Sequence, residues 1–583
     1  MATNNHKKNL HAEEMEGFPG LDASSPFGGG GAAQDIRNFK IMPDGSLCRR
    51  DGYESIVKFD SPIRAVRTYR EGDAEYVLVV AGSMLCRIKT TGGVSRHAVV
   101  LSSETGPAGF FEYDGQVYIM DGHNIYHYKG EVSAELVHGY VPLYGRNWSI
   151  DGAGNTVNEP INLLSSMVRI AYRGTGTPST LTPGLKMTAV ESVRLDGETL
   201  AADRYALSED GLSVVCNGIE MNESTLELAV TLDVSHWYDA TLYTCTRASV
   251  YNGFSAMRMF LFGGSDGTVV HSNIPVSPES LAASEAADAA STGLYIPKDS
   301  QMTVGHREVV TAAVGIYDRM MFCTEGGSWL TDSLADSIDR EARTIRLGSI
   351  SGILGCSAPG AMCVIEGDIP ITVCPGGIYR WDIDPTLEKG CIPRKISDSI
   401  APLLPDGFYT RAVMRYMRTT DELWLCDPED PNGRVMIYNC VGKCWYSYTE
   451  IGAGGFFEAG SRIGFIRGGA VCVFIPGRGT DRKPYSENDI VASFTSRYLD
   501  FGDPEALKKV VCLYLDADTG GGELEVTLAD HGLLCAETLA AEEGVRLFSR
   551  RFTTPRFHRL ALKLVAGGPK PQRIYRICLH PAI

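Results

Sequence analysis

Along most of the chain, apolar and polar residues alternate in short runs, and the runs end at Gly, Asp-Gly or Asn-Gly. Almost none continue with the 3.6-residue period of a helix, so the pattern predicts short strands joined by tight turns. One unit keeps returning: an apolar strand, a Gly or Asp turn, then a strand rich in Tyr, Trp or Val. It is found at residues 75–88 (EYVLVVAGSMLCRI), 112–130, 257–272, 317–331, 362–382, 421–439 and 461–475. A supersecondary unit repeating at roughly 40–50 residues predicts propeller blades. One small sheet cannot bury both of its faces, whereas radial stacking covers the faces and leaves only short edges. A pair of β-sandwiches also produces alternating hairpins. The likeness of the units in kind favours one closed propeller of six to eight blades, over residues 57–139 and 243–488.

Two stretches have another texture. Residues 140–242 hold Thr, Pro and Gly-rich connections, two Asp-Gly turns (Asp196-Gly197 and Asp210-Gly211) and alternating runs such as ESVRL and LELAVTL. They are read as a β-sandwich inserted between blades. Residues 489–583, with VVCLYLDAD, GELEVTLAD and RLALKLVAG broken by Gly and Pro, are read as a second, C-terminal β-sandwich. Residues 1–56 are assigned to an N-terminal arm and a first strand. The segment GFPGLDASSPFGGGGAAQ (17–34) has too few apolar residues to fold by itself and is expected to order only against a neighbour. The best helical signal is residues 277–290, Ala-rich, with Ser277 as N-cap and Glu279 in the first turn. The fold class is therefore all-β.

Composition narrows the reading. The chain has 583 residues, 44% of them apolar, and 64 Gly, enough for large cores and many turns. A formal charge of −17 argues against a broad basic surface gripping nucleic acid, because phosphate neutralisation needs Lys and Arg. Arg546, Arg550, Arg551, Arg556 and Arg559 could form a local basic rim. They are read as a solvated strand face or a subunit contact. Most of the 16 Cys sit in apolar runs, such as Cys86, Cys323, Cys472 and Cys512, where the residue acts as a small buried hydrophobe suited to a reducing compartment. The N-terminus lacks an apolar signal region, and there is no run of about 18 apolar residues. Asn147-Trp148-Ser149 and Asn222-Glu223-Ser224 are then chance matches to a glycosylation sequon.

Candidate chemistry is sparse. There is no GxSxG elbow, P-loop, HExxH pair or strand-to-helix GxGxxG, and no carboxylate pair stands out as acid and nucleophile. The expectation is a protein that is not an enzyme, with no catalytic, cofactor-binding or metal residue assigned. Cys440 and Cys444 come nearest to a metal pattern, but Val-Gly-Lys between them reads as a turn. DPEDPNG (427–433) has oxygen ligands without the alternating spacing of a calcium loop, and reads as a hairpin tip. SDGTVV (265–270) lacks the aromatic of a sialidase Asp-box and reads as a turn.

The segment DIRNFKIMPDGSLCRRDGYESI (35–56) carries a resemblance. Its Asn38-Phe39 pair, Asp44-Gly45, Leu47 and Arg50-x-Gly52-Tyr53 resemble the opening of bacteriophage tail and DNA-stabilisation proteins as they enter a propeller. The match departs at Arg49-Arg50-Asp51-Gly52, where Pro is common before the Gly. Residues 140–166 resemble the entry to an inserted domain of prophage tail proteins, and FTSRYLDFGDPEALKKVVCLYLDAD (494–518) resembles their end module. The resemblance implies a virion structural protein, a tail nozzle, hub or head-to-tail closure component. It implies a cyclic oligomer, a hexamer, partnered by other tail, portal or adaptor proteins. Genomic DNA would pass through the channel without specific binding, and the chain would reside in the virion tail after synthesis in the host cytoplasm. The competing expectation is a host-glycan-binding or glycan-degrading propeller of the tail.

Overall fold

The computed structural model describes residues 10–27, 32–89, 94–122, 124–130, 133–234, 245–253, 257–265, 267–334, 345–383, 390–483, 486–542, 544–551 and 553–582. Among them the chain forms a β-propeller carrying an inserted and a C-terminal β-sandwich. It divides into two compact units: residues 1–81, 86–95 and 354–583, and residues 82–85 with 96–353.

Seven four-stranded antiparallel blades are built around the seven hairpins. Blade one is Ile63–Glu71, Ala74–Ala81, Met84–Lys89 and Val94–Val100, and blade two is Gly109–Tyr113, Gln116–Met120, Ile125–Tyr128 and Ala134–Leu136. Blade three (Arg247–Tyr251, Arg258–Phe262, Thr268–His271, Gln301–Thr303) and blade four (Ala312–Ile316, Arg319–Cys323, Ser328–Thr331, Leu347–Ser351) follow the insertion. Blade five is Met362–Ile365, Ile369–Cys374, Gly377–Ile383 and Cys391–Lys395; blade six is Val413–Met417, Glu422–Cys426, Val435–Asn439 and Cys444–Tyr448. The turns are those the residues allow. Asp114 and Gly115, with φ of 50° and 70°, supply the two left-handed positions that a tight hairpin with right-handed twist requires.

Blade seven takes three strands from the end of the repeat, Gly455–Ala459, Arg462–Arg467 and Ala470–Ile475, and its fourth, Gly52–Lys58, from near the N-terminus. Residues 52–56 thus belong to the propeller rather than to the arm. Their strand satisfies the backbone groups that Ala470–Ile475 would otherwise leave unpaired, and ties the two ends of the repeat together.

Apolar faces of successive blades make the cores. In the first unit, Val77 and Val79 of blade one pack with Phe457, Val471 and Val473 of blade seven. Trp424 of blade six meets Phe456 and Phe474 of blade seven at 5.8 and 5.6 Å. In the second unit, Tyr118 and Met120 pack with Met259 and Leu261, and Phe260 and Phe262 pack with Met320 and Phe322.

The insertion, also in the second unit, has a five-stranded sheet in the order Leu143–Trp148, Met167–Gly176, Met221–Leu232, Met187–Leu195, Glu198–Thr199. A three-stranded sheet of Thr180–Leu181, Val214–Cys216 and Tyr205–Leu207 covers it, with Ile170, Val193, Leu228, Leu181 and Val214 in a common core. The helix is Pro278–Ala287; the Ser277 hydroxyl caps it, accepting from the Ser280 amide.

The C-terminal sandwich is not made from C-terminal residues alone. One sheet joins Lys509–Asp518, Arg546–Arg551 and Arg573–Ala582 to the N-terminal strands Glu13–Glu16, Phe39–Ile41 and Leu47–Arg49. The other joins Ala492–Ser496, Glu523–Ala529, Leu533–Leu539 and Ala561–Gly567 to Ala33–Arg37, which also runs beside Cys444–Tyr448 of blade six. This corrects the expectation that the arm orders only against a neighbour. Its described residues are bound within their own chain by main-chain hydrogen bonds, Phe18 to Gly45 and Leu21 to Trp445, both 2.8 Å. Phe18 is buried edge-on against Phe494. Backbone pairing supplies what the arm's few apolar side chains cannot. Residues 28–31 of the Gly run lie outside the described residues.

Candidate functional site

The segment that carries the resemblance lies in the first unit, and each of its motif residues has a structural task. Asp44 turns the hairpin between Phe39–Ile41 and Leu47–Arg49, accepting from the Ser46 amide (3.1 Å) and hydroxyl (2.6 Å). Asn38 adopts φ of 57°, and its side chain donates to the Val491 carbonyl at 2.9 Å and accepts from the Thr449 amide at 2.9 Å. Arg49 is wholly buried and donates to the carbonyls of Ile490 (2.7 Å), Gly568 (2.6 Å) and Lys570. Burial, and then the neighbouring Arg50 charge, push its pKa down.

Arg50 donates to both carboxylate oxygens of Asp481 and to Asn38 Oδ1 at 2.9 Å, with its guanidinium 5.8 Å from the Tyr448 ring. Gly52 passes so close to the next strand that a Cβ there would lie 1.9 Å from the Thr480 carbonyl oxygen. Tyr53 packs edge-on against Phe465, and its hydroxyl accepts from Arg467 at 2.7 Å. Burial pushes its phenol up to about 12. The segment therefore ties the N-terminal strands, blade seven and the C-terminal sandwich into one node of the first unit.

The other candidate residues are placed as follows. Cys440 and Cys444 flank the turn between Val435–Asn439 and Cys444–Tyr448, where burial pushes their thiols up to about 12 and about 11. Protonated buried thiols are poor metal ligands. In 427–433, Asp427 is buried, paired with Arg411 at 2.6 Å, and accepts from the Glu429 amide; Asp430 accepts from the Asn432 and Arg434 amides. These oxygens are spent on a hairpin tip. Asp266, in the 265–270 turn, lies outside the described residues. Arg546, Arg550 and Arg551 lie on an edge strand of the C-terminal sandwich, and Arg559 covers the Phe27 ring at 4.8 Å. Among the described residues no three of His, Cys, Asp and Glu are grouped so as to hold a metal ion.

The second unit holds a cavity of about 570 Å³ that is not foreshadowed by any motif. Met120, Ile125, Val137 and Leu164 form apolar wall, and Ser165, Glu191, Thr231 and Asp288 bring oxygen atoms to it. His138 Nδ1 stands 3.1 Å from Asp288 Oδ2, and Thr231 donates to Glu191 at 2.6 Å. Its walls come from blade two, the insertion and the end of the helix, so no local sequence signal could have found it.

No protein-family model matches the chain, and no curated protein matches it. Among solved structures it is similar to virginiamycin B lyase from Staphylococcus aureus, at 9% identity over 73% of this chain and 98% of that one, with a TM-score of 0.36. It is also similar to AztD from Citrobacter koseri (9%, 71% and 93%, 0.30) and to BBS1N, solved in complex with ARL6DN (9%, 74% and 98%, 0.26). Likeness at this level carries no argument about activity or partners.

Proposed function

We propose that the chain is a structural component of a bacteriophage virion: a ring-forming tail nozzle, hub or head-to-tail closure protein through which the genome passes. The observation that carries the reading is the node at Asn38, Asp44, Arg49, Arg50, Gly52 and Tyr53. The residues that resemble the phage family are the ones that build the junction of propeller and C-terminal sandwich here. The net charge of −17 also suits a channel along which DNA slides without adhering. The partners are further copies of the chain and the neighbouring tail, portal or adaptor proteins. Electron cryomicroscopy of the tailed particle is the test. Density for the chain in a closed ring on the tail axis is expected; single copies off the axis, or particles without the chain, would overturn the proposal.

A second reading has one observation in its favour. The cavity of about 570 Å³ sets carboxylate and hydroxyl oxygens beside apolar wall, the mixture that recognises a sugar's hydroxyls and its apolar ring face. Titration of the chain with host-surface oligosaccharides tests it. Binding that is lost on Glu191→Gln and Asp288→Asn supports a glycan-binding tail protein, and the absence of saturable binding removes that reading.

A further inference from the structure

We propose that the edge strand Arg546–Arg551 of the C-terminal sandwich is the docking surface for a second copy of this chain, which lays an acidic surface along it. This deepens the ring-forming reading above and rests on it.

Among the described residues Arg546–Arg551 pairs on one side only, with Lys509–Asp518, and is the last strand of its sheet. A free edge displays unpaired N–H and C=O groups, and folded proteins blunt such edges or use them. This one is not blunted by polar residues alone. Leu547 is 63% exposed and Val545 is 57% exposed, in strand and approach, among Arg546, Arg550 and Arg551. Beside Leu547 opens a cavity of about 210 Å³, lined by Tyr514, Asp516, Arg576, Cys578 and His580, large enough to receive a partner's side chain.

Charge identifies the occupant. Residues 546–583 contain nine Lys and Arg and no Asp or Glu. The preceding 545 residues then hold 45 Lys and Arg against 71 Asp and Glu, a formal charge of −26. Arg546, Arg573 and Arg576 are paired within the chain with Glu542, Asp44 and Glu14, and Arg550 and Arg551 stand on the same edge strand of a chain whose remainder is strongly acidic. Two copies of the edge paired face to face would set arginines against arginines, which disfavours a two-fold contact. A basic edge on one copy against an acidic surface on the next is a head-to-tail contact, the kind that closes into a ring. DNA phosphate would also be drawn to the arginines, but it has no use for exposed Leu547 and Val545 or for a free strand edge.

The test uses the full chain with the exposed double substitution Leu547→Glu and Arg551→Glu, checked by thermal melting for an unchanged fold. Sedimentation velocity is run across a concentration series at about 50 mM and about 500 mM salt, since screening should weaken the contact. The wild-type chain is expected to assemble, less so at high salt, and the double variant to associate at least about tenfold more weakly. Arg551→Lys, which keeps the charge, should retain most of the assembly. A wild-type chain that stays monomeric throughout, a variant that assembles as the wild type does, or a variant that loses only retention on DNA would each overturn the proposal. Assembly unaffected by the variant removes this interface while leaving a ring in place. Assembly abolished by it, with no copies in tail particles, removes the virion reading while leaving the interface.

Discussion

The guanidinium of Arg50 meets the carboxylate of Asp481 through two parallel hydrogen bonds of 2.7 and 2.6 Å, and the two side chains are only 2% and 4% exposed. The pair joins residues 431 positions apart, and the Tyr53 amide adds a third bond to the same carboxylate at 3.3 Å. Removing one partner strands a buried charge, at a cost of about 3–5 kcal/mol. Asp481→Ala should therefore lower stability by about that much in urea unfolding of the full chain. Arg50→Lys should recover little, because an ammonium cannot make the forked contact. Replacing both residues by apolar ones should be milder than either single loss; equal or greater damage would refute this account of the pair.

Gly52 answers to close approach rather than to flexibility. Gly52→Ala places a methyl 1.9 Å from the Thr480 oxygen and must push two backbones apart. A loss of about 1–3 kcal/mol or more is expected. Gly352→Ala, where a Cβ meets nothing within 4 Å, is the control and should be near neutral.

Alkaline pH should weaken the fold through its buried acids. Burial pushes the thiols of Cys472 and Cys440 up to about 12 from 9.0, and the phenols of Tyr53, Tyr118 and Tyr140 up to about 12 from 10.0. The unfolded chain loses these protons first, so it binds fewer protons than the folded one between about 9 and about 12, and stability falls as pH rises through that window. Below about pH 8 these groups are largely protonated in both states and contribute little slope. Urea midpoints that stay level from about pH 9 to about pH 12 would contradict this.

All 16 Cys are free, and twelve are buried. Thiol titration of the native protein under nitrogen should label at most the four partly exposed residues, Cys48, Cys363, Cys391 and Cys535, and the denatured protein should label all sixteen. Oxidation to several disulfides in a fresh preparation would be the contrary result.

The chain's local pattern determines its strands, its turns and the number of repeated hairpins. Those depend on contacts between neighbours: alternation decides which face of MMFCT or VVCLY is apolar, and Asp114-Gly115 can only turn. The capped helix after Ser277 and the burial of strand cysteines were legible for the same reason, although the helix ends at Ala287 and not at residue 290. Only the tertiary structure decided which strand completes blade seven, because Gly52–Lys58 pairs with a strand more than 400 residues away and alternates no differently from any edge strand. The arm's side chains are too poor in apolar surface to predict order by themselves; its order comes from main-chain pairing with partners that no local window contains. The partners of Arg49 and Arg50, and the large cavity, are hidden likewise, since a buried ion pair or a cavity wall is a property of segments brought together, and sequence adjacency carries no trace of which distant carbonyl or carboxylate a guanidinium will meet.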